Sequence, residues 1–250
     1  MSKSKVLECC VDSVESAINA AKGGADRLEL CSNLVIGGTT PDVALVEEIR
    51  KYTDIRIHAL IRPRFGDFCY SKHEIAVMKS QIRGLKQAGV EGVVIGVLDE
   101  DGHLNQPVMK ELIQEAEGLS ITLHRAFDMC CEPFEALETA IALGVDTILT
   151  SGQKQSAWDG RELLAKLQEQ AAGRIAIMAG AGIGAKTIAR LLPVTGITTY
   201  HMSGKETLDS NMRYRQDGVS MGLPGISEYE IWQTSETLVR EAVEVLNNGK

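Results

Sequence analysis

Eight short runs rich in Val, Ile and Leu recur along this chain, at about residues 5–10, 27–31, 55–61, 92–97, 120–124, 146–150, 174–179 and 197–202. Segments with helical periodicity separate them, such as Ser13 to Lys22, His73 to Ala88 and Pro133 to Leu143, and a final one runs from Ser227 to Leu246. Strands joined through helices must run parallel, and eight such units are the number that closes a (β/α)8, or TIM, barrel. An open doubly wound sheet is the alternative, but no GxGxxG turn between a first strand and a first helix supports it.

The joints between helix and strand repeat as well. Gly24-Ala25-Asp26-Arg27-Leu28, Gly89-Val90-Glu91-Gly92-Val93 and Gly144-Val145-Asp146-Thr147-Ile148 share one pattern. Glycine supplies a left-handed helix cap, a small apolar residue turns inward, an acid faces out, and a strand follows. A barrel of this kind commonly takes about 250 residues, and no Pro/Ser-rich linker divides the chain. Residues 1–250 therefore read as one barrel domain, with a loop at Arg62 to Ser71 and a long loop at 204–226 after strand 8 that carries Met212-Arg213-Tyr214-Arg215.

Composition narrows the function. With 26 basic against 34 acidic residues the net charge is −8, and aromatics are 4%. Neither a basic stripe for phosphodiesters nor a set of stacking rings is available, which argues against nucleic acid. The amino terminus has no signal-peptide pattern, and no run approaches the roughly 18 apolar residues of a membrane span. A cytoplasmic protein is expected, its six cysteines (9, 10, 31, 69, 130 and 131) being reduced thiols.

Polar groups gather at the carboxyl ends of the strands. Strand alternation puts Glu8 and Cys10 on one face, and Glu29 and Cys31 on one face of the next strand, with apolar Leu7, Cys9, Leu28 and Leu30 left for the helix side. Two readings follow: a soft-metal site built on thiolates, or buried small fillers whose neighbouring glutamates pair with Arg62, Arg125 or a histidine. In the vicinal pairs Cys9-Cys10 and Cys130-Cys131, adjacent side chains on a strand point apart, so only one member of each could be a ligand.

His58, His124 and His201 fall on strands 3, 5 and 8, with Arg62, Arg125 and Asp128 close by. Such groups on separate strands of one barrel would share a mouth capable of acid/base work. The glycine-rich turns after strands 6, 7 and 8 bring Ser151, Gly152, Gly180, Gly182, Ser203 and Gly204 to the same rim. They suit either backbone binding of an anion or simple tight turns.

Several of these stretches together resemble a known family. Glu29-Leu30-Cys31-Ser32 with Gly37-Gly38-Thr39-Thr40-Pro41, Ile61-Arg62-Pro63-Arg64-Phe65-Gly66-Asp67-Phe68, His124-Arg125-Ala126-Phe127-Asp128-Met129, Leu149-Thr150-Ser151-Gly152 and Met178-Ala179-Gly180-Ala181-Gly182-Ile183 are similar to the CutC family of copper homeostasis proteins. The similarity runs in order from about residue 5 to 235. It departs where Arg64-Phe65-Gly66-Asp67 replaces the family's usual Arg-Gly-Gly-Asp. The resemblance implies a cytoplasmic TIM barrel that self-associates as a homodimer and handles copper, with Cys10 and Cys31 matching the family's candidate Cu(I) ligands. No organic cofactor is evident. The alternative is a barrel enzyme acting on a small anionic or phosphorylated metabolite, with Glu8, Glu29, His58, Arg62, His124, Arg125, Asp128 and His201 as candidate catalytic groups and the glycine turns as its anion site.

Overall fold

Parallel strands β1 (Val6–Val11), β2 (Arg27–Leu30), β3 (Arg56–Leu60), β4 (Gly92–Ile95), β5 (Ser120–Leu123), β6 (Thr147–Thr150), β7 (Ala176–Ala179) and β8 (Thr199–Met202) hydrogen-bond in chain order. The circle closes where β8 pairs with β1, Glu8 facing His201 in register. Helices α1 (Val14–Gly23), α2 (Val43–Ile49), α3 (Lys72–Gln87), α4 (Gln106–Glu115), α5 (Pro133–Ala142), α6 (Arg161–Ala171), α7 (Ala185–Thr195) and α8 (Glu236–Asn248) complete the (β/α)8 TIM barrel read from the sequence. This computed structural model describes residues 5–249, apart from 217, 220 and 224.

The parity of β1 and β2 decides what faces inward. Leu7, Cys9 and Val11 on β1, and Leu28 and Leu30 on β2, are fully buried in one apolar core with Ala17 and Ala20 of α1 and Val239 and Ala242 of α8. Each buried leucine of this kind contributes about 1.5–3 kcal/mol relative to exposure. The alternate positions, Glu8, Cys10 and Glu29, are thereby turned to the barrel interior.

The three repeated joints do more than turn the chain. Gly24, Gly89 and Gly144 take the left-handed φ values of +91°, +85° and +77°. The acid two residues later, expected only to face solvent, accepts a backbone N–H from the preceding strand of the pair: Asp26 from Leu7 at 2.9 Å, Glu91 from Ile57 at 2.7 Å and Asp146 from Ile121 at 2.8 Å. Because those amides lie at the start of a strand, where the ladder is ragged, each acid satisfies a donor that burial would otherwise leave unmade. The device ties β1 to β2, β3 to β4 and β5 to β6.

One region differs from the sequence reading. The stretch 204–226 begins in a strand, β9 (Lys205–Asp209), which pairs antiparallel with β10 (Glu230–Thr234), and the last helix starts at Glu236 rather than at Ser227. The β-formers Ile231, Trp232 and Thr234 and the antiparallel ladder with β9 outweigh the helical spacing expected there. The Lys205 ammonium lies 3.4 Å from the Trp232 ring centroid, so a cation–π contact joins the two strands. This two-stranded arm stands over the carboxyl end of the barrel.

Candidate functional site

A cavity of about 540 Å³ opens at the carboxyl end of the strands. Its floor comes from β1, β2 and β8 (Cys10, Glu29, His201), one side from Arg62, Phe68 and His124, and its outer walls from Leu34, Ile36, Leu60 and the arm residues Lys205, Trp232 and Gln233. Of the expected site residues, Cys10, Glu29, Arg62, His124, Arg125 and His201 line this cavity. Glu8 and His58 are buried deeper and do not line the cavity.

At the floor, ligand atoms of Cys10, Glu29 and His201 all lie within 4.8 Å of one another. The order of the chain explains how. β1 sits between β8 and β2, with Cys10 beside Glu29 and Glu8 beside His201 in register, so inward side chains from three neighbouring strands meet, His201 rising from one step lower along β1. His201 is fixed from behind: its Nδ1 is 2.7 Å from Glu8 Oε1, while Glu8 Oε2 accepts from Arg27 Nε at 2.5 Å. With Nδ1 engaged by a carboxylate, Nε2 is the nitrogen turned to the cluster, 3.7 Å from Glu29 Oε2. A carboxylate holding the far nitrogen of a histidine is the usual outer support of a metal ligand, because it fixes the tautomer and the ring plane.

The charges are interlocked. Burial would raise the Glu8 carboxyl, but Arg27, His201 and His58 together draw it down to about 2. For His201 burial alone would lower the value; the acidic neighbours Cys10, Glu29 and Glu8 outweigh it and hold the imidazole well above its ordinary range. Glu29 is raised by burial and by Glu8, partly offset by His201.

Cys31 stands outside this cluster. Its thiol is fully buried, donates to Glu29 Oε2 at 3.5 Å, and is pushed well above the ordinary range by burial and by Glu29. Among the described residues the thiol of Cys10 meets a histidine and a carboxylate, and Cys10 also packs against the cluster that holds Cys31. A two-residue step along a strand preserves the face but changes the level, and Cys31 sits one level above Glu29 beside Leu60 and Val94.

The glycine turns are largely committed to the protein. Ser151 N–H donates to Asp128, Gly152 N–H to Thr150 Oγ1 and Gly180 N–H to the Thr150 carbonyl. At Gly152 a Cβ would stand 2.3 Å from the Gly160 carbonyl oxygen, so close approach of two loops accounts for the glycine. These three are corrected from anion donors to turn geometry. Gly182 and Ser203 line the cavity, whereas Gly204 uses its carbonyl to accept from Ser235.

Asp128 is corrected likewise. Its carboxylate accepts from Arg125 Nε (2.7 Å), Thr150 Oγ1 (2.5 Å), Ser151 N (3.0 Å) and Gln153 N (3.1 Å), which fastens the loop after β6 instead of facing the cavity. The sequence reading missed Phe68, Trp232 and Lys205 as cavity residues. The β-formers at 231, 232 and 234 were the available signal for Trp232.

The model of the CutC family matches residues 5–206. A Homo sapiens protein named copper homeostasis protein cutC homolog is 45% identical over 244 residues, covering 97% of this chain and 89% of the relative. The chain belongs to the CutC family. A CutC family protein of Bacteroides fragilis is 45% identical over 251 residues and 99% of both chains. Among solved structures, a CutC protein from Streptococcus agalactiae superposes with a TM-score of 0.76 at 28% identity, over 80% of this chain and 98% of that one. Likeness to a phosphoribosylanthranilate isomerase of Pyrococcus furiosus, with a TM-score of 0.55 at 13% identity over 98% of this chain and 99% of that one, is one of fold alone. Family membership thus rests on sequence, and the barrel on both.

Proposed function

We propose that this CutC protein takes part in copper homeostasis by binding Cu(I) at Cys10 and His201, with Glu29 beside them. The observation that carries the reading is the meeting of a thiol, an imidazole held by a buried carboxylate, and a second carboxylate within 4.8 Å. The donor set fits: thiolate is the soft ligand Cu(I) prefers, and imidazole suits copper as well. Zn(II) would accept all three donors, so the ion's identity is part of the test. Copper is cargo in this reading, carried in the cytoplasm, where the free thiols stay reduced. The apolar side chains of Leu208, Met212, Tyr214 and Ile231, exposed on the arm, support pairing of two copies through it.

Anaerobic competition titration against a Cu(I) chelator tests the reading. One ion per chain is expected, with Cys10→Ser and His201→Ala each weakening it strongly and Cys31→Ser changing it little. X-ray absorption should report sulfur and nitrogen in the first shell. Unchanged affinity in Cys10→Ser would end the proposal, and a Zn(II) affinity above that for Cu(I) at matched free ion would reassign the metal.

A further inference from the structure

The cavity floor offers a soft ion a single sulfur. Among the described residues Cys10 is the one cysteine that lines the cavity, its thiol half-buried and in reach of His201 and Glu29. A carboxylate is a hard donor that suits Mg, Ca and Mn better than Cu(I), which selects sulfur. Cys31 packs in one cluster with Cys10, but it is fully buried, does not line the cavity and donates its S–H to Glu29. Cu(I) seated on Cys10 and His201 therefore lacks a second thiolate from the chain.

The space above that floor has the size of a small-molecule site. Its volume of about 540 Å³ falls within the roughly 300–1,000 Å³ such sites occupy. Leu34, Ile36 and Trp232 line it with apolar surface that is only half-buried, so a ligand can lie against them. Two cations with open surface stand at its mouth. Lys205 is exposed, rests its ammonium 3.4 Å from the Trp232 ring centroid, and has no carboxylate within ion-pair distance among the described residues. Arg125 is tied to Asp128 through Nε, yet 46% of its side chain is exposed. A thiol at the bottom and cations at the rim together define a ligand with sulfur at one end and negative charge at the other.

Building on the Cu(I) reading of the floor, we infer that the ion arrives as a complex with a small carboxylate-bearing thiol, RSH, and keeps one RS⁻ when bound. The retained sulfur stays on copper beside Cys10, the organic body lies against Leu34, Ile36 and Trp232, and the carboxylate is met by Lys205 and Arg125. From [Cu(SR)₂]⁻, the Cys10 sulfur forms a bond to copper while one Cu–SR bond breaks. The departing RS⁻ takes the Cys10 proton and leaves as RSH, so charge is conserved and copper remains Cu(I). Where thiols stay reduced, Cu(I) is met as a thiolate complex, which makes a cavity wide enough for the thiol's body a requirement of uptake.

The test loads the full chain anaerobically with Cu(I) from complexes of 3-mercaptopropanoate or of its amide and removes excess thiol by gel filtration. Copper, thiol released by acid, and first-shell sulfur by X-ray absorption are then measured. About one 3-mercaptopropanoate should be retained per copper, with a second sulfur on the ion beside that of Cys10. That second sulfur should persist in Cys31→Ser and Met202→Leu, which remove two other sulfurs of the chain, one packed with Cys10 and one lining the cavity. The amide should be held on the order of 3- to 5-fold more weakly than the acid, and Lys205→Met should weaken retention of the acid to a similar degree. The unmodified chain decides the matter even if a variant fails to fold. Copper bound with no thiol retained, a second sulfur that vanishes with Cys31 or Met202, or equal retention of acid and amide would overturn the inference and leave Cu(I) binding at Cys10 standing. No copper bound from either complex or from a chelator would remove the Cu(I) reading and this inference with it.

Discussion

Replacing Glu8 by Gln should destabilise the barrel by about 3 kcal/mol, and two lines of reasoning give that size. A carboxyl held at about 2 rather than 4.5 prefers its ionised form by about 3 kcal/mol. Independently, removing one partner of a buried ion pair costs about 3–5 kcal/mol, because the other charge stays behind. Glu8 is completely buried and Arg27 only 14% exposed, so water screens little of the loss. Glutamine keeps the shape and an oxygen for His201 Nδ1 but leaves Arg27 without a counter-charge. In a domain of this size the loss corresponds to a fall in melting temperature of roughly 6–12 °C, measurable by calorimetry. Adding Arg27→Met removes the stranded charge, so the double variant should recover about 2 kcal/mol relative to the sum of the single changes. A single-variant cost below about 1 kcal/mol, or strict additivity in the double, would refute the claim that these charges depend on each other.

Acid should weaken the fold well above the carboxylate range. His124 is lowered to about 3 by burial and by Arg62, and His58 to about 4 by burial and by Arg27, whereas both titrate near 6.5 when unfolded. Between those limits the unfolded chain binds more protons, so stability is full above pH 6.5 and falls as pH drops toward 4 and then 3. His201 is raised, so below 6.5 it is protonated in both states, but above 6.5 only the folded chain holds that proton and it opposes the trend there. Unfolding free energies from urea titration at pH 7.5 and pH 5 should therefore differ by about 3 kcal/mol, about 4 from the two neutral rings less about 1 from His201, and equal values would contradict the neutral burial of both rings. Asp128→Asn should cost about 2 kcal/mol and speed hydrogen exchange at Ser151 and Gln153, whose amides donate to it; unchanged exchange there would return Asp128 to the list of cavity residues.

Much of the barrel was legible because its signals are local. Strand and helix runs, the glycine caps at Gly24, Gly89 and Gly144 and the inward parity of Glu8, Cys10 and Glu29 all depend on residues close in sequence. The site was legible by residue type but not by partnership. His201 was placed among acid/base candidates, yet it meets Cys10 only because β8 closes on β1, a pairing of residues far apart in the chain whose stagger no local pattern encodes. Cys31 shows a finer limit: parity put it on the correct face, in one cluster with Leu60, Val94 and Cys10, while its thiol hydrogen-bonds Glu29. The anion-binding reading of Gly152 failed because one glycine pattern serves both ligand approach and close loop packing, and the Gly160 carbonyl that decides the case belongs to another turn.

The groups lining the cavity differ in electrostatic character with the strands that carry them. β8, β1 and β2 supply acids and a thiol, with Glu8 neutralised by Arg27 and by His201 of the cavity floor. β3 and β5 supply a guanidinium and a neutral imidazole, held by backbone carbonyls and a backbone amide rather than by side-chain charges. Gly37 and Gly38, at φ of +86° and +85°, let the loop after β2 fold against Arg62 and offer it the Gly38 carbonyl, and a Cβ on Gly37 would come within 3.3 Å of Nη1. The loop's carbonyls thus hold the Arg62 guanidinium at the wall of a cavity of about 540 Å³ whose floor carries Glu29 and Cys10.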